Sequence, residues 1–287
     1  MKRGFVAAAA AAVAAAGLAA CGSSAAPGAG SSTSSKISCT YSGIQNALYK
    51  KGQLTVATDE PAYAPWFENN NPANGKGYES AVAYAVAKQL GFKPSQVHWA
   101  YEPFNDSYAP GPKKFDFDIN EISYTPQRAT AVTFSNSYYN VTQALVVMKN
   151  SPIVSKHTPA ELKTYIYGDQ LGTTSLQFIN SEIQPDSTPK IYQSLNVVAS
   201  ALQTHQIQAF VTDTPTAQYM AADQIPGAQM VGQFPSADEH YGLLFTKGNT
   251  LVGCVNKAIT TLTADGTLSA LQKQYLGIYQ DVPTIKP

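Results

Sequence analysis

This sequence has no excess of positive or negative charge and few histidines, and each of these features excludes a class of function. The 19 basic residues equal the 19 acidic ones, so no excess positive charge favours nucleic acid or an anionic membrane surface as a partner. The four histidines lack the close spacing of metal ligands, and no Ser/His/Asp grouping is present to form a catalytic triad. The sequence therefore predicts no metal and no cofactor.

A long apolar run is lacking beyond the first 20 residues. Residues 1–20 carry Lys2 and Arg3 and then an alanine-rich stretch, which predicts a secretory signal peptide. That stretch is shorter than the roughly 20 residues of a membrane-spanning helix, which argues against the transmembrane alternative. The order Leu-Ala-Ala-Cys that ends at Cys21 resembles a bacterial lipobox, which implies cleavage before Cys21 and lipidation of its thiol. Residues 21–39 would then be a lipidated flexible tether that anchors the protein to the outer face of the cell membrane.

Three cysteines are an odd number for an exported protein, but assigning Cys21 to the lipid leaves Cys39 and Cys254 as one pair. We predict a disulfide between them, with their Cα atoms within about 7 Å of each other. In the chain-entropy model such a long closed loop contributes roughly 4 to 5 kcal/mol to stability. Two independent buried thiols are the alternative, which an oxidising compartment makes less favourable.

Predicted strands and helices alternate from Leu54 onward, with neither internal repeats nor heptads. This alternation favours parallel sheets with helices on both faces. The predicted strands span 54–58, 97–101, 115–119, 143–148, 164–167, 189–192, 207–211 and 241–246, and the predicted helices span 77–90, 159–162, 175–183, 195–204, 214–222, 249–263 and 267–275.

The strand at 115–119 has an alternating pattern. Its apolar residues Phe115, Phe117 and Ile119 share one face, and Asp116 and Asp118 share the other. This pattern predicts a half-buried strand with its carboxylates towards solvent.

A helix start follows that strand. Pro126 suits a first helical turn because it has no amide hydrogen, and Thr125 before it is a suitable N-cap. Arg128 then lies in the first turn, where its fixed positive charge is unfavourable beside the helix dipole and favours an anionic partner. A surface salt bridge to a neighbouring side chain is the alternative.

This stretch resembles a segment of the family 3 extracellular solute-binding proteins, the amino-acid receptors of ABC importers. The resemblance begins at Leu54 and covers nearly all of the predicted mature chain, and it implies that Arg128 holds the α-carboxylate of an amino acid and that Ser123 also contacts the ligand. The residues that match the family's segment are Ile122, Ser123, Thr125, Arg128, Phe134, Ser135, Tyr138 and Tyr139.

The resemblance implies a two-lobed α/β fold, the type II periplasmic-binding-protein fold. It would have two parallel or mixed sheets with helices on both faces, and a hinge where the chain crosses twice between lobes. Residues 40–141 and 242–287 are predicted to form the first lobe and 142–241 the second. Ligands of such sheets bind beyond the carboxyl ends of the strands.

The first lobe has five further candidate ligand contacts. Asp59 could face the ligand ammonium group, and Tyr63, Trp66 and Tyr124 could cover its side chain. For Trp66, packing in the core is an equally good explanation. Phe104 aligns with an aromatic residue that stacks on ligands in relatives, although the Pro-rich passage around it replaces what is usually a helix.

The second lobe has three candidates. Gln170 and Thr174 belong to a segment that resembles the turn from which the family donates amides to the ligand carboxylate, although Thr174 stands where a second glycine is usual. Asp213 matches the carboxylate that takes the α-ammonium group. Helix N-capping is the alternative for Asp213, which precedes Thr and Pro.

Glu121 departs from the family, which commonly has a small residue or glutamine there. Its carboxylate could bind a cationic ligand, pair with Arg128 or point to solvent. A surplus negative charge in a partly desolvated cleft is costly unless it is matched. We therefore expect a neutral polar or cationic amino acid in preference to glutamate or aspartate.

The resemblance implies a monomeric binding protein that delivers an amino acid to the permease of an ABC importer, and not an enzyme. One alternative is a dehydratase on the same fold, acting on a small cyclic carboxylic acid with Glu121 as the general acid. Another is a receptor that senses its ligand without transporting it.

Overall fold

The computed structural model describes residues 37–235, 238–277 and 282–285. The predicted signal peptide, the predicted lipidation site Cys21 and most of the predicted tether lie outside the described residues. Within the described ranges, every helix is too short or too polar to cross a membrane.

Strands and helices alternate largely as predicted, but the strands at Val132–Asn140 and Ala228–Gln233 are additional to the predicted set. The strand expected at 164–167 lies at Gly168–Gln170, and the Pro-rich passage from Pro103 contains a short helix. The strands are β1 (Leu54–Thr58), β2 (Val97–Tyr101), β3 (Phe117–Asp118), β4 (Val132–Asn140), β5 (Gln143–Met148), β6 (Gly168–Gln170), β7 (Lys190–Tyr192), β8 (Ala209–Asp213), β9 (Ala228–Gln233) and β10 (His240–Thr246). The helices are α1 (Tyr78–Gln89), α2 (Phe104–Ser107), α3 (Arg128–Ala131), α4 (Pro159–Leu162), α5 (Thr174–Phe178), α6 (Leu195–Gln203), α7 (Thr214–Tyr219), α8 (Leu251–Ala264) and α9 (Thr267–Leu276).

The first sheet has the strand order β2-β1-β3-β10-β4, with β1 parallel to β2 and β3, and β10 antiparallel to β3 and β4. Helices α1, α8 and α9 contribute to its main apolar core. Along α1, the predicted apolar stripe of Val82, Val86 and Leu90 is buried in that core, because residues four apart share one helix face.

Strand β3 corrects the predicted half-buried strand. It pairs along both edges, with β1 and β10, and Asp116 and Asp118 are completely buried, so its polar face is covered as well as its apolar one. Asp116 accepts the backbone amides of Tyr49 and Thr55, each at 2.6 Å. The alternating pattern reveals which side chains share a face, but it does not show that another layer covers the polar face.

The second sheet is antiparallel, because β5 lies in its centre and runs opposite to both β8 and β9. Successive residues of β5 pack into different apolar clusters, Ala144 and Val146 on one face and Leu145 and Val147 on the other. Strands β6 and β7 form a separate parallel pair. The prediction of parallel strands therefore holds for β6 and β7, as it does for β1, β2 and β3 in the first sheet. It does not hold for β8, β5 and β9.

The chain crosses between the two sheets at two adjacent places. One crossing joins β4 to β5 and the other joins β9 to β10, and the amide of Val141 donates to the carbonyl of Glu239 at 3.0 Å between them. Residues 282–285 return to β9, where the amide of Ile285 donates to the carbonyl of Gln233 at 2.8 Å. Ile285 is buried in the core beside β9, so this tail packs with the second lobe and not with the first, where the predicted division placed it.

The predicted disulfide is confirmed. Cys39 and Cys254 are bonded, and their Cα atoms lie 5.1 Å apart. Cys254 lies on α8 and is buried in the core of the first sheet, so the bond ties the start of the described chain to that core.

Candidate functional site

A cavity of about 70 Å³ lies between the two sheets, beyond the carboxyl ends of β1, β3, β6 and β8. Polar and charged side chains dominate its walls, as expected for a ligand site at the ends of strands. The lining residues are Asp59, Pro61, Tyr63, Phe104, Asn120, Glu121, Arg128, Asp169, Gln170, Thr173, Thr174, Ser175, Leu195, Thr212 and Asp213.

Arg128 is held rigidly in this cavity. The hydroxyl of Thr125 accepts the backbone amide of Arg128 at 3.1 Å, which is the predicted capping contact. The guanidinium donates from Nη1 to the carbonyl of Ser123 at 2.7 Å and from Nη2 to the carbonyl of Gly172 at 2.8 Å. Ser123 follows β3 of the first sheet and Gly172 follows β6 on the other side of the cavity, so Arg128 bridges the cleft.

Two aromatic rings also contact the guanidinium of Arg128. Its central carbon lies 4.5 Å from the ring centre of Tyr108 and 5.4 Å from that of Phe104. Burial lowers the pKa of Arg128, whereas Tyr108 and nearby carboxylates oppose that change. Arginine stays charged because its ordinary pKa lies far above neutral pH. With only 6% of Arg128 exposed, a surface salt bridge is no longer an explanation for this residue.

Gly172 is suited to its place for steric reasons. Its φ of +81° is a conformation that L side chains rarely adopt. A Cβ atom there would lie 2.4 Å from the hydroxyl of Tyr108 and 2.5 Å from Oδ1 of Asn105. The missing side chain therefore lets the turn before α5 approach Arg128.

Asp213 lies at the end of β8 with both carboxylate oxygens occupied. Oδ1 accepts from Nε2 of Gln143 at 2.6 Å, and Oδ2 accepts the hydroxyl of Tyr241. The side chain makes no capping hydrogen bond to α7, which removes the alternative explanation. Burial, together with the charge of Glu239, raises the pKa of Asp213 to about 7.

Gln143 connects the carboxylates of Asp213 and Glu239 to the hydroxyl of Ser175, and sequence reasoning did not single it out. Its Nε2 also donates to Glu239 at 3.0 Å, while its Oε1 accepts the hydroxyl of Ser175 at 2.7 Å. Glu239 in turn accepts the hydroxyl of Ser123 at 2.7 Å. These contacts form a hydrogen-bond network behind the cavity that fixes the position of Asp213.

Glu121 faces the cavity and bonds across it. Its Oε2 accepts the hydroxyl of Thr216 at 2.8 Å, so the predicted alternatives of pairing with Arg128 or pointing to solvent are not adopted. Burial raises the pKa of Glu121 well above its ordinary value, and the charges of Glu79 and Asp213 add to that effect.

Glu79 fixes the backbone of Glu121, a role that the sequence did not reveal. Glu121 has a positive φ of 51°, and its amide donates to Oε1 of Glu79 at 2.7 Å. The hydroxyl of Tyr138 donates to the same oxygen. Glu79 is completely buried in the first turn of α1, and burial raises its pKa to about 8.

These buried carboxyls predict that the protein without ligand loses stability as the pH rises from about 4.5 to about 8. The pKa is raised to about 8 for Glu79, about 7 for Asp213 and about 6 for Asp116. The unfolded chain releases these protons near its ordinary pKa of about 4, so over this range the folded state binds more protons. The free energy of unfolding, measured by urea titration at several pH values, is therefore expected to fall.

The variant Glu79→Gln tests one source of this dependence. It removes the titrating group while keeping a carbonyl acceptor, so we expect a shallower fall between pH 6 and 8. Glu182→Gln, at an exposed position, is the control and should keep the wild-type slope. Stability that is constant or rises over this range in the wild type would contradict the prediction.

Two predicted ligand contacts lie away from the cavity. Trp66 is completely buried, and its ring packs edge-on against Tyr139 and Tyr241 in the core. Tyr124 is 40% exposed, lies outside the cavity lining and stacks on His240. An aromatic residue near a ligand motif has no local signal of whether its ring faces the cleft or the core.

The other predicted residues mostly meet at the cavity. Asp59, Tyr63, Phe104, Gln170 and Thr174 line it, as do Arg128, Glu121 and Asp213, whereas Ser123 lies behind it and contributes its carbonyl to Arg128. Sequence reasoning missed the lining residues Pro61, Asn120, Asp169, Thr173, Ser175, Leu195 and Thr212.

The cavity has more acidic than basic groups. Asp59, Glu121, Asp169 and Asp213 line it, and Arg128 is the one basic side chain among the described lining residues. In the part of the chain that the structure describes, no group of three His, Cys, Asp or Glu side chains is placed to hold a metal ion. The arrangement favours a ligand that carries both a carboxylate and a positive charge.

Known proteins are similar to this chain in sequence and in fold. The L-cystine-binding protein TcyJ of Escherichia coli (strain K12) is 28% identical over 243 residues, 82% of this chain and 86% of that protein. The histidine-binding periplasmic protein of Salmonella typhimurium is 28% identical over 233 residues, 78% of this chain and 87% of that protein.

Two solved structures of ancestral proteins also match. An ancestral arginine-binding protein bound to glutamine has a TM-score of 0.68 and 29% identity, covering 79% of this chain and 99% of that one. The ancestral amino-acid-binding protein AncCDT-1, a precursor of cyclohexadienyl dehydratase, has a TM-score of 0.66 and 25% identity, covering 82% and 98%. The predicted two-lobed, type II periplasmic-binding-protein fold is confirmed.

The model of one protein family matches residues 54–278, which include both sheets and every lining residue of the cavity. The chain therefore belongs to the bacterial extracellular solute-binding proteins, family 3.

Proposed function

We propose that this protein binds an amino acid in the cleft and delivers it to an ABC importer. Arg128 binds the α-carboxylate, because its planar fork has five N–H donors, more than its two carbonyl bonds use. Asp213 binds the α-ammonium group. The observation that carries this proposal is one buried guanidinium lining a cavity whose other charged groups are carboxylates.

The remaining lining residues surround the ligand side chain in this proposal. Asp59 and Glu121 supply negative charge, and Tyr63 and Phe104 supply aromatic surface. Gln170 and Thr174 approach from the second lobe. Because negative charge predominates, we propose a neutral polar or cationic side chain and disfavour an acidic one.

The lobes close by rotating about the two crossings. We assign 40–141 and 242–277 to the first lobe, and 142–241 with the tail 282–285 to the second. Two hydrogen bonds of the Thr216 hydroxyl span the cleft. It accepts from Nε1 of Trp66 at 2.7 Å and donates to Oε2 of Glu121 at 2.8 Å. Such contacts would form on closure and break on release of the ligand.

Calorimetry of the purified protein with arginine, glutamine and glutamate tests the proposed ligand class. Arginine and glutamine are expected to bind more tightly than glutamate. A clear preference for glutamate would reject the proposed charge selectivity, and the absence of binding by a full panel of amino acids would reject the proposed function.

Glu121→Gln is expected to reduce any preference for arginine over glutamine about tenfold, or about 1.4 kcal/mol. The substitution removes one negative charge from the cavity and keeps the shape of the side chain. The ratio of the two dissociation constants measures this effect. Glu182→Gln, whose side chain is exposed, should leave the ratio unchanged, and an unchanged ratio in Glu121→Gln would place its charge outside the ligand's reach.

The protein is also proposed to be a monomer that is exported and attached to the cell membrane through lipid on Cys21. The related cystine- and histidine-binding proteins are named as binding proteins, and we propose that this chain likewise lacks catalytic activity. Co-purification with a permease would distinguish delivery to an importer from ligand sensing alone.

A dehydratase is the second candidate function. It is favoured by Glu121, a cavity carboxyl whose pKa is raised by burial, and by the likeness to an ancestral precursor of cyclohexadienyl dehydratase. Turnover of a prephenate-like substrate that is lost in Glu121→Gln would establish it.

A further inference from the structure

A second cavity, of about 400 Å³, adjoins the cleft and is much larger than it. The two cavities share Pro61 and Tyr63 in their walls. The second cavity also lies between the lobes, because Glu68 and Asn69 follow β1, whereas Asn196 and Tyr219 belong to α6 and α7. Closing the lobes therefore shapes both cavities together.

Tyr63 forms the partition between the cavities. Its side chain lines both cavities, and its ring packs against the core of the second sheet. Burial raises the pKa of Tyr63, and the charges of Glu121 and Asp59 in the cleft add to that effect. A tyrosine side chain turns about two bonds, so rotation of Tyr63 would open a path between the cavities without moving the backbone.

The walls of the second cavity are rich in carboxamides. Asn69, Asn196 and Gln224 contribute side-chain amides, which both donate and accept hydrogen bonds. Glu68 is the one charged side chain among the described lining residues, so the cavity contains no basic group to receive a carboxylate. Its chemistry suits a neutral hydrogen-bonding group or a cation.

We propose that one elongated ligand occupies both cavities. Its amino-acid head lies in the cleft, and its distal polar end passes Tyr63 into the second cavity. The ligand is then an α-amino acid at least as long as arginine that ends in a carboxamide, ureido or guanidinium group. This inference rests on the proposed function, from which it takes the position of the head group.

Calorimetry with glutamine, citrulline and homocitrulline tests the proposal, since these neutral ligands differ in length and not in charge. The wild-type protein is expected to bind homocitrulline about tenfold more tightly than glutamine, the gain of one or two added hydrogen bonds. Asn196→Trp fills the second cavity from an exposed position and should bring the ratio of the two affinities close to one. Gln224→Trp, also at an exposed position, is a second blocking variant.

Val197→Trp is the matched control. It adds the same ring at the next position of α6, where the side chain is 46% exposed and outside the cavity lining, so it should keep the wild-type ratio. Glutamine binding without any gain for the longer ligands would overturn this inference and leave the proposed function intact. Failure of every amino acid to bind would instead overturn the proposed function, and this inference with it.

Discussion

Replacing Arg128 with alanine is expected to weaken amino-acid binding by about 2 to 5 kcal/mol, roughly 30-fold to several thousand-fold in the dissociation constant. The loss is large because Arg128 is buried and is the one basic group among the described residues that line the cleft. Without it, the ligand carboxylate would enter a partly desolvated cavity that already contains four carboxyl groups. Calorimetry with the preferred amino acid measures the change.

Part of the loss of affinity would reflect hydrogen bonds that Arg128 makes within the protein itself. The guanidinium also donates to the carbonyls of Ser123 and Gly172, so alanine leaves the buried Ser123 carbonyl without this donor and removes one of the donors to the half-buried Gly172 carbonyl. Urea unfolding of the variant separates a loss of stability from a loss of affinity. Arg128→Lys keeps the charge without the bidentate fork, and we expect its affinity to lie between those of the alanine variant and the wild type.

The matched control for Arg128 is Lys257→Ala, which removes an exposed positive charge on α8, far along the chain from the cleft. Its affinity should equal that of the wild type. A folded Arg128→Ala protein that binds its amino acid with wild-type affinity would refute the assigned role.

Removing the disulfide is expected to lower the free energy of unfolding by about 5 kcal/mol, given the 215-residue separation of its cysteines. The bond restricts the unfolded chain over nearly the whole described protein. Neither cysteine lines the cleft, so ligand affinity at low temperature should be nearly unchanged. Urea unfolding of the double variant Cys39→Ala/Cys254→Ala, compared with the wild type, measures the loss.

Reduction provides an independent check of the disulfide prediction. A reducing agent should destabilise the wild-type protein by a similar amount and leave the double alanine variant unaffected. The single variant Cys39→Ala, which leaves Cys254 as a buried thiol, should behave like the double variant. Equal stability of the oxidised and fully reduced wild-type protein would contradict the prediction.

The charge of the cleft depends on pH as well as on residue type. Burial raises the pKa of Asp59, Glu121 and Asp213, so without ligand these groups retain protons at a higher pH than free carboxyls do. A positive ligand group favours their ionised forms. Binding of a cationic amino acid is thus coupled to release of protons from the cleft.

Local sequence patterns determined much of the secondary structure of this protein. The order of most strands and helices, the buried stripe of α1 and the contact of Thr125 with the amide of Arg128 follow from periodicity and from the hydrogen-bonding needs of a helix start. Cysteine arithmetic identified the disulfide. These features depend on neighbours a few residues apart or on counting, which a single sequence provides.

Only the tertiary structure decided which side chains line the cleft. Glu79 supports Glu121 from 42 residues away, and Gln143 reaches Asp213 across 70 residues. Trp66 faces the core although Tyr63, three residues earlier, faces the cleft. Local periodicity shows which residues share a face, but what covers that face is set by elements distant in the chain. The burial of Asp118 in a central strand and the packing of the tail on the second lobe were hidden from the sequence for the same reason.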